Sequence, residues 1–298
     1  GYYKSLVQLF GELYSSKPLN NPNIIKLFQL EDLINGEAKS IKKLQNNIKP
    51  KGDGKFLNHL QELAQRNVLL RGFNLKCPAC DSTIWYEAES ITEIMTCKGC
   101  RSKFQLPLET VFSYRLNTLL ENRHNEGALA ILLFLRLLSK LSKHSLLWQA
   151  DSKLVSEDLP NGCSPDVIAM IDGVLVVAEC KNSFIFSDIR EQVVKEIQVA
   201  SDLKANVFIF ATLQESNLEE NVDLAKVKRL IAEKNAEYPN MKCIVVGKNE
   251  LIEGGITETE GRSGLVGIHQ FVPRPSWYQN QDCSSTDDQF HGWPMWAM

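Results

Sequence analysis

No stretch of this sequence is both long and apolar enough to cross a bilayer. The most apolar run, GALAILLFL (127–135), stops at Arg136, well short of the ~20 residues a spanning helix needs. No basic segment, apolar segment and cleavage site follow one another at the N-terminus, so secretion is not expected and a cytoplasmic location is. The first residue is Gly rather than Met, which suggests a fragment that a further N-terminal domain could precede. Charge of one sign is also lacking: the net charge of −3 gives no global signature of nucleic-acid binding. Histidine is scarce, with five in all. His124 and His144 flank the apolar run, but neither has a second His at metal-ligand spacing, and both are read as structural. Internal repeats are absent. Four of the eight cysteines, Cys163, Cys180, Cys243 and Cys283, show no pairing logic, so no disulfide framework is expected.

What is present is ordinary in bulk and uneven in detail. Across 298 residues, 44% hydrophobic and 23% charged content describe a soluble globular chain with room for two or three structural units. Residues 1–104 hold 15 Lys/Arg against 10 Asp/Glu, so this part is positive and the rest negative. Lys39, Lys42, Lys43, Lys49, Lys51 and Lys55 cluster here. They read equally as a phosphate-contacting patch or as a solvated helix face and loop.

Four segments are expected. Residues 1–70 read as short helices: NPNIIKLFQLEDLI and FLNHLQELAQRNVLLRG have helical apolar spacing, the second ending at Gly72. Residues 71–105 hold CPAC (77–80) and CKGC (97–100), separated by 16 residues. Two C-x-x-C turns at this spacing suit a four-thiolate zinc site, so Cys77, Cys80, Cys97 and Cys100 are the expected ligands. With all four positions filled by protein, that zinc would be structural. The intervening TIWYEAE and SITEIMTC read as the two strands of a zinc ribbon. Over 106–250, PLETVFSYRLNTLLEN reads as a helix leading out of the ribbon, and 125–142 as a buried helix. LLWQAD, PDVIAMI and VLVVAEC read as three strands, followed by a helix over 187–203, the strand NVFIFAT, a helix over 223–236 and the strand CIVVG. This is an α/β sandwich with a mixed sheet whose first three strands form a meander. Residues 251–298 are rich in Gly, Ser, Asn, Gln and Asp with scattered aromatics (Trp277, Tyr278, Trp293, Trp296), and read as a tail without independent fold.

The most informative stretch is PDVIAMIDGVLVVAECK (165–181). Asp172-Gly173 is a strong two-residue hairpin signal. If these residues form the turn, Ile171 faces Val174 and, counting outward, Asp166 lands opposite Glu179. Alternation puts Lys181 on the face of Glu179, and Cys180 and Ala178 on the other. Two carboxylates facing each other repel, the more so when buried, and Lys181 leaves the pocket negative. Either a shared proton or a cation must compensate. Oxygen ligands of this kind suit Mg²⁺ or Mn²⁺, which would polarise a phosphoryl oxygen and acidify a bound water.

PD at 165–166 and E-C-K at 179–181, on a helix–three-strand–helix–strand core, resemble the PD-(D/E)XK nuclease superfamily over residues 120–250. The resemblance implies a restriction-endonuclease-like core (αβββαβ, a mixed central sheet flanked by helices) preceded by the helical segment and the zinc ribbon. It implies that Asp166 and Glu179 ligate Mg²⁺, that the Cys180 carbonyl joins the metal shell and that Lys181 assists the attacking water. It also points to Glu126, at the start of the buried helix, as a further acidic residue, and to Gln198 or Lys195 as an accessory polar residue. The implied activity is metal-dependent DNA cleavage, by analogy in bacterial anti-phage defence beside a partner ATPase or sensor, with a homodimer among the implied arrangements. Two competing functions stand beside it: an inactive nuclease-fold scaffold that binds nucleic acid or a protein through its ribbon, and a Cys/Zn redox or regulatory protein.

Overall fold

Apolar spacing at the N-terminus folds as short helices. The structure is a computed structural model and describes residues 1–11, 17–50, 53–121, 127–156, 159–214 and 222–253. Helix α1 (Tyr2–Phe10) buries Tyr3, Leu6 and Phe10 along one stripe. A single turn (Lys17–Asn20) leads to α2 (Pro22–Phe28), whose first turn is capped by the Asn21 side chain. Next come α3 (Glu31–Ile34), the short strand β1 (Lys39–Ser40), α4 (Ile41–Ile48) and α5 (Asp53–Gln65). The helix expected to end at Gly72 stops at Gln65: Asn67 turns left-handed (φ 57°) and β2 (Leu69–Lys76) begins.

The ribbon is built differently from the expectation. β2 pairs with β3 (Thr83–Glu87), and β4 (Ile94–Thr96) pairs with β5 (Lys103–Gln105), so the two strands between the cysteine pairs belong to separate hairpins. The segment expected as a helix leading out of the ribbon is mainly strand β6 (Phe112–Leu116), with one helical turn in α6 (Thr118–Glu121). Ladder hydrogen bonds to β2 and β1 outweigh its weak helical spacing and give a four-stranded sheet of order β1-β6-β2-β3.

The remaining elements are α7 (Ala128–Leu141), β7 (Leu146–Ala150), the hairpin β8 (Leu154–Ser156) and β9 (Leu159–Cys163), β10 (Val167–Ile171), β11 (Val174–Lys181), α8 (Phe186–Asp202), β12 (Val207–Thr212), α9 (Val222–Glu237), β13 (Lys242–Val246) and α10 (Lys248–Glu253). The hairpin β8–β9, inserted between β7 and β10, was not anticipated. The five-stranded sheet runs β13-β12-β11-β10-β7, antiparallel from β7 to β11 and parallel from β11 to β13. The result is a mixed α/β architecture with several sheets.

Asp172 (φ 48°) and Gly173 (φ 86°) both take the left-handed conformation that a tight two-residue hairpin requires. The Asp172 carboxylate also accepts N–H bonds from Lys143, His144 and Ser145, tying the α7–β7 loop to the turn. Burial opposes its ionisation, but these three donors win and hold its carboxyl down at about 2. Ile171 pairs with Val174 and Val167 with Ala178, the expected register.

Alternation sorts the sheet into two faces. Ala169, Ile171, Val174 and Val176 pack with α7 and the N-terminal helices in one continuous core, while Val177, Phe208 and Phe210 pack against α8 and α9. Helix α7 is buried almost all round because the sheet covers one side and the N-terminal helices cover much of the other. Arg136 at its centre is fully buried, and its Nη1 donates to the carbonyls of Leu19 (3.3 Å) and Ile252 (3.1 Å). One turn on, Lys140 donates to the Asn20 side chain and the Glu253 carbonyl. Among the described residues no helix is long and apolar enough to cross a membrane.

Candidate functional site

Register and alternation bring the charged ends of β10 and β11 together on the face toward α8. Asp166 lies one step beyond the Val167–Ala178 pair, opposite Glu179, and its Oδ2 accepts the Cys180 N–H at 2.7 Å. Glu179 is 1% exposed. Its Oε1 receives Lys181 Nζ at 2.6 Å and Gln192 Nε2 at 2.7 Å, while its buried Oε2 has no hydrogen-bond partner. Burial, then the neighbouring Glu179 carboxylate, pushes Asp166 up to about 7. Burial also raises Glu179, against the opposing pull of Lys181. For Lys181 itself burial acts downward, but Glu179 and Asp166 reverse the sign and hold the ammonium charged.

Helix α8 adds two residues that the sequence reading did not single out. Gln192 clamps Glu179. Glu196, one turn further along, is 5% exposed, and its buried Oε2 has no partner. Burial, followed by the charge of Asp166, raises its carboxyl. A signal for Glu196 was present: Ile189, Val193, Ile197 and Ala200 form the buried stripe, and Glu196 sits within it at a core-facing position. The α8 residue that had been singled out, Gln198, is turned elsewhere, donating to Asp202 and accepting from the Tyr238 hydroxyl. Lys195 is exposed and makes a lesser, downward contribution at Glu196. Tyr3 of α1 was also missed. It is buried, and its hydroxyl is raised by burial and then by Asp166, so the first helix lies within electrostatic reach of the site.

The start of α7 abuts the same strand ends. The Ala130 N–H donates to the Asn182 side chain at 3.0 Å. Gly127 (φ 79°) approaches so closely that a Cβ there would stand 2.6 Å from the Cys180 carbonyl oxygen. Glu126 precedes it and lies outside the described residues, as do the stretch 254–298 and Lys51. Gly127→Ala would combine a left-handed backbone with a backbone clash, and about 2–4 kcal/mol of lost stability is expected, read as a lower urea midpoint at unchanged slope.

The strand-end carboxylates are oxygen donors of the kind a hard cation takes. Asp166 and Glu179 face each other, Lys181 offsets one charge, and the Glu179 Oε2 that nothing satisfies is an oxygen donor of the type Mg²⁺ takes.

The four cysteines form the second cluster. Each pair sits at a hairpin turn, Cys77 and Cys80 between β2 and β3, Cys97 and Cys100 between β4 and β5. The turns match each other: Cys77 and Cys97 N–H donate to the carbonyls of Ser82 and Ser102, and Asp81 and Arg101 are left-handed. All four sulfurs lie within 4.8 Å of one another and can hold a metal ion such as zinc. The Cys77–Cys100 and Cys80–Cys97 separations of 3.7 and 3.8 Å match the edge of a tetrahedron with Zn–S bonds of about 2.3 Å. The Ser102 hydroxyl and N–H draw the exposed Cys100 thiol down to about 6.

The lysine cluster is less free than it reads in sequence. Lys39 is held by Asp32 (2.7 Å) and Glu37 (2.8 Å), whereas Lys42, Lys43, Lys49 and Lys55 are exposed. His144 is exposed and contributes its backbone N–H to the Asp172 turn. In comparisons with protein-family models, curated proteins and solved structures, nothing matches this chain.

Proposed function

We propose that the chain is a Mg²⁺-dependent nuclease of the PD-(D/E)XK type that hydrolyses phosphodiester bonds in DNA. One observation carries the reading: Asp166 and Glu179 stand opposite each other, mostly buried, with Lys181 on the same face and a Glu179 oxygen left without a partner. Asp166 and Glu179 would hold the cation, with the Cys180 carbonyl beside them. When bound, it polarises a phosphoryl oxygen and lowers the pKa of a water. Asp166 is fixed by the Cys180 N–H, and Glu179 by Lys181 and Gln192, so both carboxylates are held in place before substrate arrives. Lys181, held at Glu179, would orient the attacking water and offset the charge that builds on phosphorus. In this reading the four cysteines bind a structural zinc, and a partner ATPase or sensor belongs to the defence setting suggested by the resemblance.

The test incubates the chain with plasmid and linear DNA, with Mg²⁺ or with EDTA, beside Asp166→Asn. Cleavage that requires Mg²⁺ and Asp166 supports the proposal. Cleavage persisting in EDTA or in Asp166→Asn overturns it. Inactivity of the wild type on every nucleic acid favours the scaffold.

A further inference from the structure

We propose that the outer edge of β7 is a self-complementary interface, at which a second copy of this chain adds its own β7 antiparallel and joins two five-stranded sheets into one. The proposal stands apart from the nuclease reading. In the β7–β10 ladder the Asp172 N–H donates to the Ser145 carbonyl and the Asp151 N–H to the Asp166 carbonyl. Alternation therefore turns the backbone groups of Leu147 and Gln149 toward β10, and the N–H and C=O of Leu146 and Trp148 outward. The opposite edge of the sheet is capped. On β13 the Asn235 side chain donates to the Cys243 carbonyl (2.7 Å) and accepts its N–H (2.6 Å), and the strand opens with Lys242. Among the described residues nothing does this for Leu146 and Trp148, and LLWQA has no charge or proline to turn a pairing strand away.

Side chains and charge say what this edge takes. Leu147 (72% exposed), Met170 (38% exposed) and the half-buried Leu175 are cross-strand partners, an apolar row that runs out to the edge. A twofold axis at Leu147 sets it against the same residue of the second copy and continues the row across both sheets. Leu146 of each copy then pairs with Trp148 of the other, giving about four backbone hydrogen bonds. The two Leu147 side chains form a non-hydrogen-bonded pair, the kind in which side chains come closest. The same axis brings the exposed Lys143 of each copy beside the exposed Asp151 of the other. The adjacent symmetric registers would oppose Lys143 to Lys153 or to Gln149, so charge selects the first. Asp166 shares the face of Met170, so both acidic pairs would lie on one face of the joined sheet.

Sedimentation equilibrium of the full zinc-loaded chain over a range of concentrations should show a monomer–dimer equilibrium. The strand is short, so a dissociation constant of about micromolar order is expected. Leu147→Lys, at a site too exposed to disturb the core, should weaken the dimer at least about 100-fold. Cysteines read the register. Under copper-phenanthroline oxidation Leu147→Cys should form a disulfide-linked dimer that wild type does not. Gln149→Cys, about 13 Å from its own copy across the axis, should not. A monomer at every concentration overturns the proposal and leaves β7 to a strand of another protein or to none. A dimer that withstands Leu147→Lys, or that crosslinks through Gln149→Cys and not through Leu147→Cys, uses a different surface or register and overturns it as well.

Discussion

Asp166→Asn is expected to lose Mg²⁺-dependent cleavage by roughly 10³-fold or more and yet to melt higher than wild type at about pH 8 in EDTA. Both effects have one cause. Asp166 is a carboxylate opposite a second, largely buried one, a poor place for a charge and a good place for a cation. Unfolded, it loses its proton near 3.8; folded, it keeps it to about 7. A folded pKa above the unfolded one means stability that is fully present below the unfolded value and lost as pH rises through the folded value. Wild type and Asp166→Asn should therefore coincide near the unfolded value and separate progressively toward the folded one. A carboxyl held near 7 instead of near 4 is worth at most roughly 4 kcal/mol, and the residual access of water to Asp166 reduces that. Calorimetric melts across this range, repeated with saturating Mg²⁺, check the account. Mg²⁺ should restore the wild type and leave Asp166→Asn where it was. Parallel melting curves at every pH would show that the pair carries no stored repulsion.

Cys97→Ser is expected to release the bound zinc and unfold the β4–β5 hairpin while the larger α/β body stays intact. The ribbon has its own small core, Leu75, Tyr86, Met95 and Phe104 around the buried Cys77 and Cys97. So few apolar residues do not repay the entropy of ordering two hairpins, so the metal must contribute to folding. The separate cores above and below the five-stranded sheet contain none of these side chains. Wild type should hold one zinc per chain by atomic emission, and Cys97→Ser none. Amide exchange should become fast over 94–105 and remain slow in β11 and β12. A full complement of zinc in Cys97→Ser, or a zinc-free wild type with a protected ribbon, would refute it.

What the sequence made legible was local or periodic. Asp172-Gly173 fixes a turn by backbone conformation alone, and from it the strand register follows by counting, which is why the meeting of Asp166 and Glu179 could be anticipated. The cysteine spacing likewise encodes its own geometry. What failed was non-local. PLETVFSYRLNTLLEN has some helical spacing, but β2 lies alongside it only after some 40 residues of chain have folded, and that pairing decides its conformation. Glu196 went unnoticed for a related reason. A Glu inside an apolar helical stripe is visible in sequence, but its meaning depends on which strand ends the stripe is laid across. Gln198, two residues on and the polar residue to which the resemblance points, is carried round by the helix to Asp202 and Tyr238.

Arg136 and Lys140 have a mechanical consequence. The carbonyls of Leu19 and Ile252 meet at one guanidinium, and Asn20 and Glu253 at one ammonium, so two regions far apart in the chain are moored to a single helix. The other end of that helix presses Gly127 against the Cys180 carbonyl, next to the carboxylates. Helix α7 is thus a strut with its anchorage at one end and the acidic pair at the other. A pull on either mooring would load its 14 residues and bear on the close contact between Gly127 and the Cys180 carbonyl.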